Sequence, residues 1–168
     1  MNAIKNRLTE YLISSKAKPV AQRINQAMNF PIRANTIEKV LVILPRKLEL
    51  LDTADKFIQG LREAYPNWRV ELFDIDKLSK TDLNRVRLPR QEIVDKLRDA
   101  RYHFVLDLND HADQLAAYIA LMTEARYRLQ LQSDGSFYYN IAYQPHVDGK
   151  RIFYESLLEY LRKLFIRN

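Results

Sequence analysis

Two stretches of the chain, "KVLVIL" (39–44) and "YHFVLDL" (102–108), are nearly unbroken runs of apolar residues. Strands buried on both faces of a parallel sheet have this pattern, because neither face alternates with water-facing groups. Between the two runs, Leu50, Leu51, Ala54, Phe57, Ile58, Leu61 and Tyr65 recur at helical spacing and predict a helix. Pro66 and Asn67 end it. "WRVELF" (68–73) alternates and predicts a second strand; the charged stretch 74–89 predicts a surface loop or short helical turn. A helix over about 90–100 turns Ile93, Val94 and Leu97 inward, and one over 111–125 does the same with Leu115, Ala116, Ile119 and Ala120. "RYRLQLQ" (126–132) alternates, "SDG" makes a turn, and "FYYNIAY" (137–143) is of strand type. "RIFYESLLEYLRKLF" (151–165) predicts a closing amphipathic helix.

Strands and helices that alternate at these intervals build βαβ crossovers. The expected fold is therefore α/β, a Rossmann-like three-layer domain with a mostly parallel sheet, over residues 37–168. Residues 1–36 form a basic helical arm. There Ile4, Leu8, Tyr11 and Leu12 predict one helix, Pro19 interrupts, and Val20, Ile24, Ala27 and Met28 predict a second. The arm is expected to pack on the domain's own core, a membrane surface being the alternative.

The bulk numbers set limits. A chain of 168 residues suits one domain with a real core. No apolar run approaches the roughly 20 residues of a membrane span, and the first residues lack a signal peptide's apolar stretch. There are no cysteines, which excludes disulfides and thiolate metal sites and fits a reducing cytoplasm. The net charge of +6 is uneven: +5 over 1–40, +1 over 41–100, −3 over 101–149 and +3 over 150–168. Basic ends of this kind attract nucleic acid or anionic lipid, or simply keep exposed helices solvated.

In open α/β sheets ligands gather beyond the carboxyl ends of the strands. Two such ends are legible, "PRKLEL" after the first strand and "NDHADQ" after the third. Arg46 and Lys47 at the first end are candidates to hold an acidic ligand, or are a pair of solvated side chains. Glu49 is a weak candidate for a general base, or an acid favouring the start of a helix. At the second end, Asn109 or Asp110 suits an N-cap, with Asp113 adding charge to the first turn. Asp107 ends the strand and is a second weak candidate for a catalytic base. The alternative to this structural account is a polar site in which Asp107, Asn109, Asp110 and His111 meet a hydroxylated ligand.

Several chemistries lack their residues. Gly60, Gly135 and Gly149 are the chain's glycines, and none lies at a turn that would cradle a phosphate, so neither a P-loop nor a dinucleotide fingerprint is present. His103, His111 and His146 have no metal-ligand spacing, and no serine is paired with a recognisable base. No metal and no cofactor are expected. Tyr138, Tyr139, Tyr143, Tyr154 and Tyr160 lie near basic residues, as in single-strand binders, but no RNA-binding signature accompanies them and core and interface packing accounts for them more cheaply.

Residues 38–132 resemble the N-terminal, acceptor-side domain of the heptosyltransferase-type glycosyltransferases of bacterial lipopolysaccharide core assembly. The likeness rests on "KVLVIL", on the helix running to "LREAYPNWRVELF", on "ARYHFVLDLND" and on "LMTEARYRLQL". In that family a Gly-Asp turn supplies a general base to the acceptor hydroxyl; the matching position is Leu48–Leu50, where Glu49 is an approximate substitute and the glycine is gone. The family's second, nucleotide-sugar-binding domain would begin where this sequence ends. The resemblance implies a cytoplasmic, bacterial, single-domain and degenerate relative, without catalysis, acting as a binding or assembly module through a homodimer or a protein partner. Two alternatives stand beside it: the acceptor half of a composite glycosyltransferase that works with a partner subunit, and a basic module for RNA or a membrane surface.

Overall fold

The computed structural model describes residues 2–26, 28–132, 135–144, 147–148, 151–152 and 154–167. The expectations for Ser133, His146 and Gly149 fall outside them.

The chain begins with α1 (Asn2–Ile24) and passes through the short β1 (Ile32–Arg33) to β2 (Lys39–Ile43). Then come α2 (Leu51–Ala64), β3 (Arg69–Phe73), α3 (Gln91–Asp99), β4 (Phe104–Asp107), α4 (Gln114–Met122) and β5 (Tyr127–Gln130). The two-residue strands β6 (Ile141–Ala142), β7 (Val147–Asp148) and β8 (Arg151–Ile152) precede α5 (Tyr154–Leu164) and β9 (Phe165–Ile166). The central sheet has the order β3-β2-β4-β5-β6, parallel throughout. Two small pairings stand outside it: β1 runs parallel to β9, and β7 antiparallel to β8.

Pleating divides the core. Val40, Val42, Phe104, Leu106 and Leu129 pack with Ala54, Phe57, Ile58 and Leu61 of α2 and Leu157 and Leu161 of α5. Leu41, Ile43 and Val105 face the other way, onto Leu97 of α3 and Ala116, Ile119 and Ala120 of α4. The result is the expected three-layer, Rossmann-like α/β arrangement, with both faces of the sheet covered. A Cβ added to Gly60 would lie 3.0 Å from Leu158 Cδ2, so the glycine sets how closely α5 approaches α2.

Several elements differ from the sequence expectation. α1 runs unbroken through Pro19. The residue that would accept a bond from position 19 loses it, but Ile13, Ala17 and Ala21 are buried against Tyr118, Leu121 and Met122 of α4 and hold the helix together. The same contact explains α4, in which every residue from Ala116 to Met122 is buried. A helix apolar all round needs cover on both sides, and α1 supplies the outer one. The expected strand 137–143 shrinks to Ile141–Ala142, since Phe137 and Tyr138 stack in a turn. The alternating reading of 126–132 also fails: Tyr127, Arg128 and Leu129 are all buried. Finally, the closing helix starts at Tyr154, because Arg151–Ile152 pair in the short antiparallel ladder instead.

Candidate functional site

The direction of winding reverses between β2 and β4: the chain leaves β2 towards β3 on one side, and β4 towards β5 on the other. At such a switch point the loops diverge and leave a crevice beyond the carboxyl ends of the strands. Asn109 closes part of it. Its side chain is only 5 % exposed, and its Oδ1 accepts the backbone N–H of Arg46 at 3.0 Å. Ile43 O meanwhile accepts the N–H of Leu108.

Asp107 is the last residue of β4 and its side chain turns inward, under the start of α4, leaving 4 % exposed. Its Oδ1 accepts the Asn109 backbone N–H at 3.0 Å and the Asn109 side-chain amide at 2.7 Å. Its Oδ2 accepts the phenolic hydroxyl of Tyr139. Burial pushes the Asp107 carboxyl above the ordinary carboxylate range, and the donors from Tyr139 and Asn109 only partly oppose that.

A cleft of about 290 Å³ opens above this group. Asp107, Asn109, His111 and Asp113 line it from the β4–α4 side, Gln130 and Gln132 from the end of β5, and Tyr138 and Tyr139 from the segment before β6. Ala112, Gln114, Ala117 and Leu131 complete the wall. Asp113 caps α4, its Oδ1 accepting the N–H of Ala116 at 2.8 Å. The expected cap at Asn109 or Asp110 is therefore corrected. Asn109 is committed to Asp107 and Arg46, and the chain needs residues 110–112 to climb out of the sheet before it can turn helical.

The two cations after β2 form the rim. Arg46 bridges Asp113 at 2.9 Å and Asp76, in the turn after β3, at 2.8 Å. Lys47 pairs with Asp110, whose Oδ1 lies 2.7 Å from Nδ1 of His111. Burial alone would push Asp110 up, but Lys47 and His111 together hold it below the usual range. Arg46 and Lys47 thus spend their charge on carboxylates of their own chain.

Of the residues singled out by sequence, the structure gathers Asp107, Asn109 and His111 in the cleft and Arg46, Lys47 and Asp110 around it. Glu49 is apart from them, exposed in a 3₁₀ turn (Leu48–Leu50), and lines none of the described recesses. It precedes α2 rather than lying in its first turn, where the acid is Asp52. Gln130, Gln132 and Tyr139 were not singled out for this site, and only the register shows why they belong. Asp107 pairs with Gln130 across β4 and β5, which puts their side chains on one face at one level.

Beneath the cleft, Arg128 is fully buried. Its Nε donates to Tyr138 O at 2.8 Å, Nη1 to Ala125 O at 2.5 Å and Nη2 to Asn25 Oδ1. Its backbone N–H donates to Asn140 Oδ1 at 2.8 Å. One side chain therefore fixes the cleft's far wall and ties it to the end of α1. The first of these bonds also helps to explain why the strand starts late: Tyr138 O meets a side chain, and backbone pairing with β5 begins only with Asn140 N–H to Arg128 O at 3.1 Å.

Among the late tyrosines, Tyr139 and Tyr154 are buried, and Tyr143 packs on Tyr160 at 4.8 Å. Among the described residues no group of three or more His, Asp or Glu is arranged to hold a metal, and no helix is long and apolar enough to cross a membrane. In comparisons with known proteins the chain matches no family model, no curated protein and no solved structure.

Proposed function

We propose that the chain is a non-catalytic, glycosyltransferase-like binding module that takes a small hydroxyl-rich ligand, a saccharide unit, in the cleft over Asp107. The observation that carries this reading is the composition of that cleft: a buried carboxyl group held in place by Asn109 and Tyr139, faced by Gln130, Gln132 and Gln114. Amides and carboxyls offer both donors and acceptors, which is what a ring of hydroxyls requires, while the paired Arg46 and Lys47 leave no preference for an anion. The resemblance of residues 38–132 to an acceptor-side domain supports the same ligand class. Glu49, the residue nearest to that family's base, is exposed and outside the cleft. This favours binding over transfer.

The test is a two-dimensional NMR titration with neutral monosaccharides, including a heptose, read at Gln130, Gln132 and Tyr139. Saturable shifts at those residues, lost in Ala112→Trp, which fills the mouth of the cleft, are the expected result. The same chain incubated with nucleotide-sugars should release no nucleoside diphosphate. Turnover, or saccharides that leave the cleft signals unmoved, would overturn the reading.

A further inference from the structure

The central sheet has two edges of unequal kind. One is β6, only two residues long. The other is β3, five residues long, and among the described residues no strand pairs with its outer side. The parallel ladder fixes which groups point outward. Arg69 N–H donates to Glu38 O and Phe73 O accepts from Leu44 N–H, so residues 69, 71 and 73 bond to β2. The N–H and C=O groups of Val70 and Leu72 therefore point away from the sheet. Among the described residues the Val70 carbonyl accepts from the guanidinium of Arg62, an exposed side chain, at 3.4 Å. Leu72 is 45 % exposed, a large apolar residue on an open edge.

We infer that the outer edge of β3 is a self-association surface, on which a second copy of this chain adds its own β3 antiparallel and extends the sheet across a two-fold axis at Val70. The occupant follows from the strand's charges. With Val70 opposite Val70 of the second copy, each Arg69 stands directly opposite the other copy's Glu71, on the α3 side of both sheets. Opposite charges so placed attract. Arg69 is exposed, and the Glu71 side chain is 40 % exposed, held from within by Lys39 at 3.1 Å and by the Tyr102 hydroxyl at 2.5 Å. Each carboxylate oxygen has one of these partners, Oε1 Lys39 and Oε2 Tyr102, and a carboxylate oxygen can accept a further bond from an arginine. Shifting the register so that the axis falls on Glu71 would bring two glutamates together, and placing it at Leu72 would leave Glu71 opposite Phe73. Of these registers only the Val70 one sets opposite charges against each other; it exchanges both outward groups of Val70, while the Leu72 carbonyl goes without a partner because the N–H of Trp68, opposite it, is already given to Tyr65 O. Its isologous form also closes, giving a dimer rather than a fibre.

The experiment uses the cysteine-free full chain. Sedimentation at about 100 μM should show a dimer that dissociates on dilution, the behaviour of a Kd in the range of about 1–10 μM. Val70→Cys should cross-link to itself under mild oxidation, since hydrogen-bonded partners in an antiparallel pair have Cα atoms about 5.5 Å apart, within disulfide range. Leu72→Cys, which in this register faces residue 68, should cross-link at least tenfold more slowly. Arg69→Glu, on an exposed side chain, should weaken the dimer at least tenfold without changing the circular dichroism. A wild-type chain that stays monomeric would overturn the proposal, its edge charges then being protection against pairing. So would Leu72→Cys linking as fast as Val70→Cys, or Arg69→Glu dimerising like wild type.

Discussion

Tyr139 donates its hydroxyl to Oδ2 of Asp107 from 32 residues further along the chain, and the pair forms the floor of the cleft at the sheet's carboxyl edge. The carboxylate is nearly sealed from water, and burial dominates its ionisation.

The first prediction follows from that burial. A group whose folded pKa lies above its unfolded value holds its proton more tightly when folded. Its contribution to stability is fully present below the unfolded pKa, about 3.9 for Asp, and is lost as pH rises from there through the raised folded value. Asp107→Asn removes the titration. Urea denaturation of wild type and Asp107→Asn should therefore show wild type losing stability relative to the variant as pH rises through that window, with no further change above it. A difference that stays flat from acid to neutral pH would mean that Asp107 is not buried as described.

The second prediction concerns the donor. Tyr139→Phe keeps the ring and removes the hydroxyl, leaving one buried carboxylate oxygen without its bond. A loss of about 1–3 kcal/mol at neutral pH is expected. Because the hydroxyl helps to keep the Asp107 pKa down, its removal should also push the pH window of the first experiment upward. Equal losses at pH 3 and pH 8 would indicate that only packing was disturbed.

Much of the scaffold is readable along the chain, and little of the cleft is. Leu41 and Ile43 in β2, and Val105 in β4, belong to unbroken apolar runs, and such runs announce their own burial on both faces. Asp107 and Asn109 stand out because polar residues directly follow such a run. Tyr139 does not, since nothing local distinguishes it from Tyr138 or Tyr143; its role depends on Arg128 and Asn140 folding its segment back over β5. α1 was obscured for a similar reason. Pro19 reads as a helix break until the buried face of α4 is there to hold the turn. Local propensity decides where no partner intervenes, and these are places where a distant partner does.

The third prediction separates the rim from the floor. Arg46→Ala removes two ion pairs, but the arginine is 43 % exposed and its backbone N–H bond to Asn109 survives. The expected cost is about 1 kcal/mol or less, since screened pairs contribute little. Asn109→Ala strips a buried acceptor from Arg46 N–H and a buried donor from Asp107, and should cost on the order of 3 kcal/mol. Comparable values in denaturant titrations would show that the ion pairs, rather than Asn109, hold the crevice between β2 and β4 together.

The fourth prediction tests the cap. Asp113 serves Ala116 N–H with one oxygen and Arg46 with the other. Asp113→Asn keeps an N-cap acceptor and loses the charge pair; Asp113→Ala loses both. The asparagine variant should lie close to wild type, and alanine should lie lower by about 1 kcal/mol, the usual cost of a missing cap. Asp110→Ala, at the position first expected to cap, should leave α4 amide exchange unchanged.

Arg128 sets the hardest constraint on the molecule. Its charge is buried, and among the described residues its side-chain hydrogen bonds go to the carbonyls of Ala125 and Tyr138 and the amide oxygen of Asn25 rather than to a carboxylate. Burial pulls its pKa down to about 10, with Tyr139 acting slightly the other way. A cation in this position is costly to desolvate, yet removing it strands the buried Ala125 carbonyl and takes one bond each from Tyr138 O and Asn25 Oδ1. Arg128→Met should destabilise by on the order of 3 kcal/mol, and its effect should not be uniform. The bonds lost join β5 to the segment before β6 and to the end of α1, so amide exchange should accelerate at 137–140 and near Asn25, while β2 and β4 stay protected. Arg128→Lys keeps the charge but cannot span three acceptors in different directions, and should fall nearly as far. If lysine restored wild-type stability, the charge itself would be what the site needs. If methionine did, the arginine would be dispensable to the fold, and the far wall of the cleft would be held by Asn140 alone.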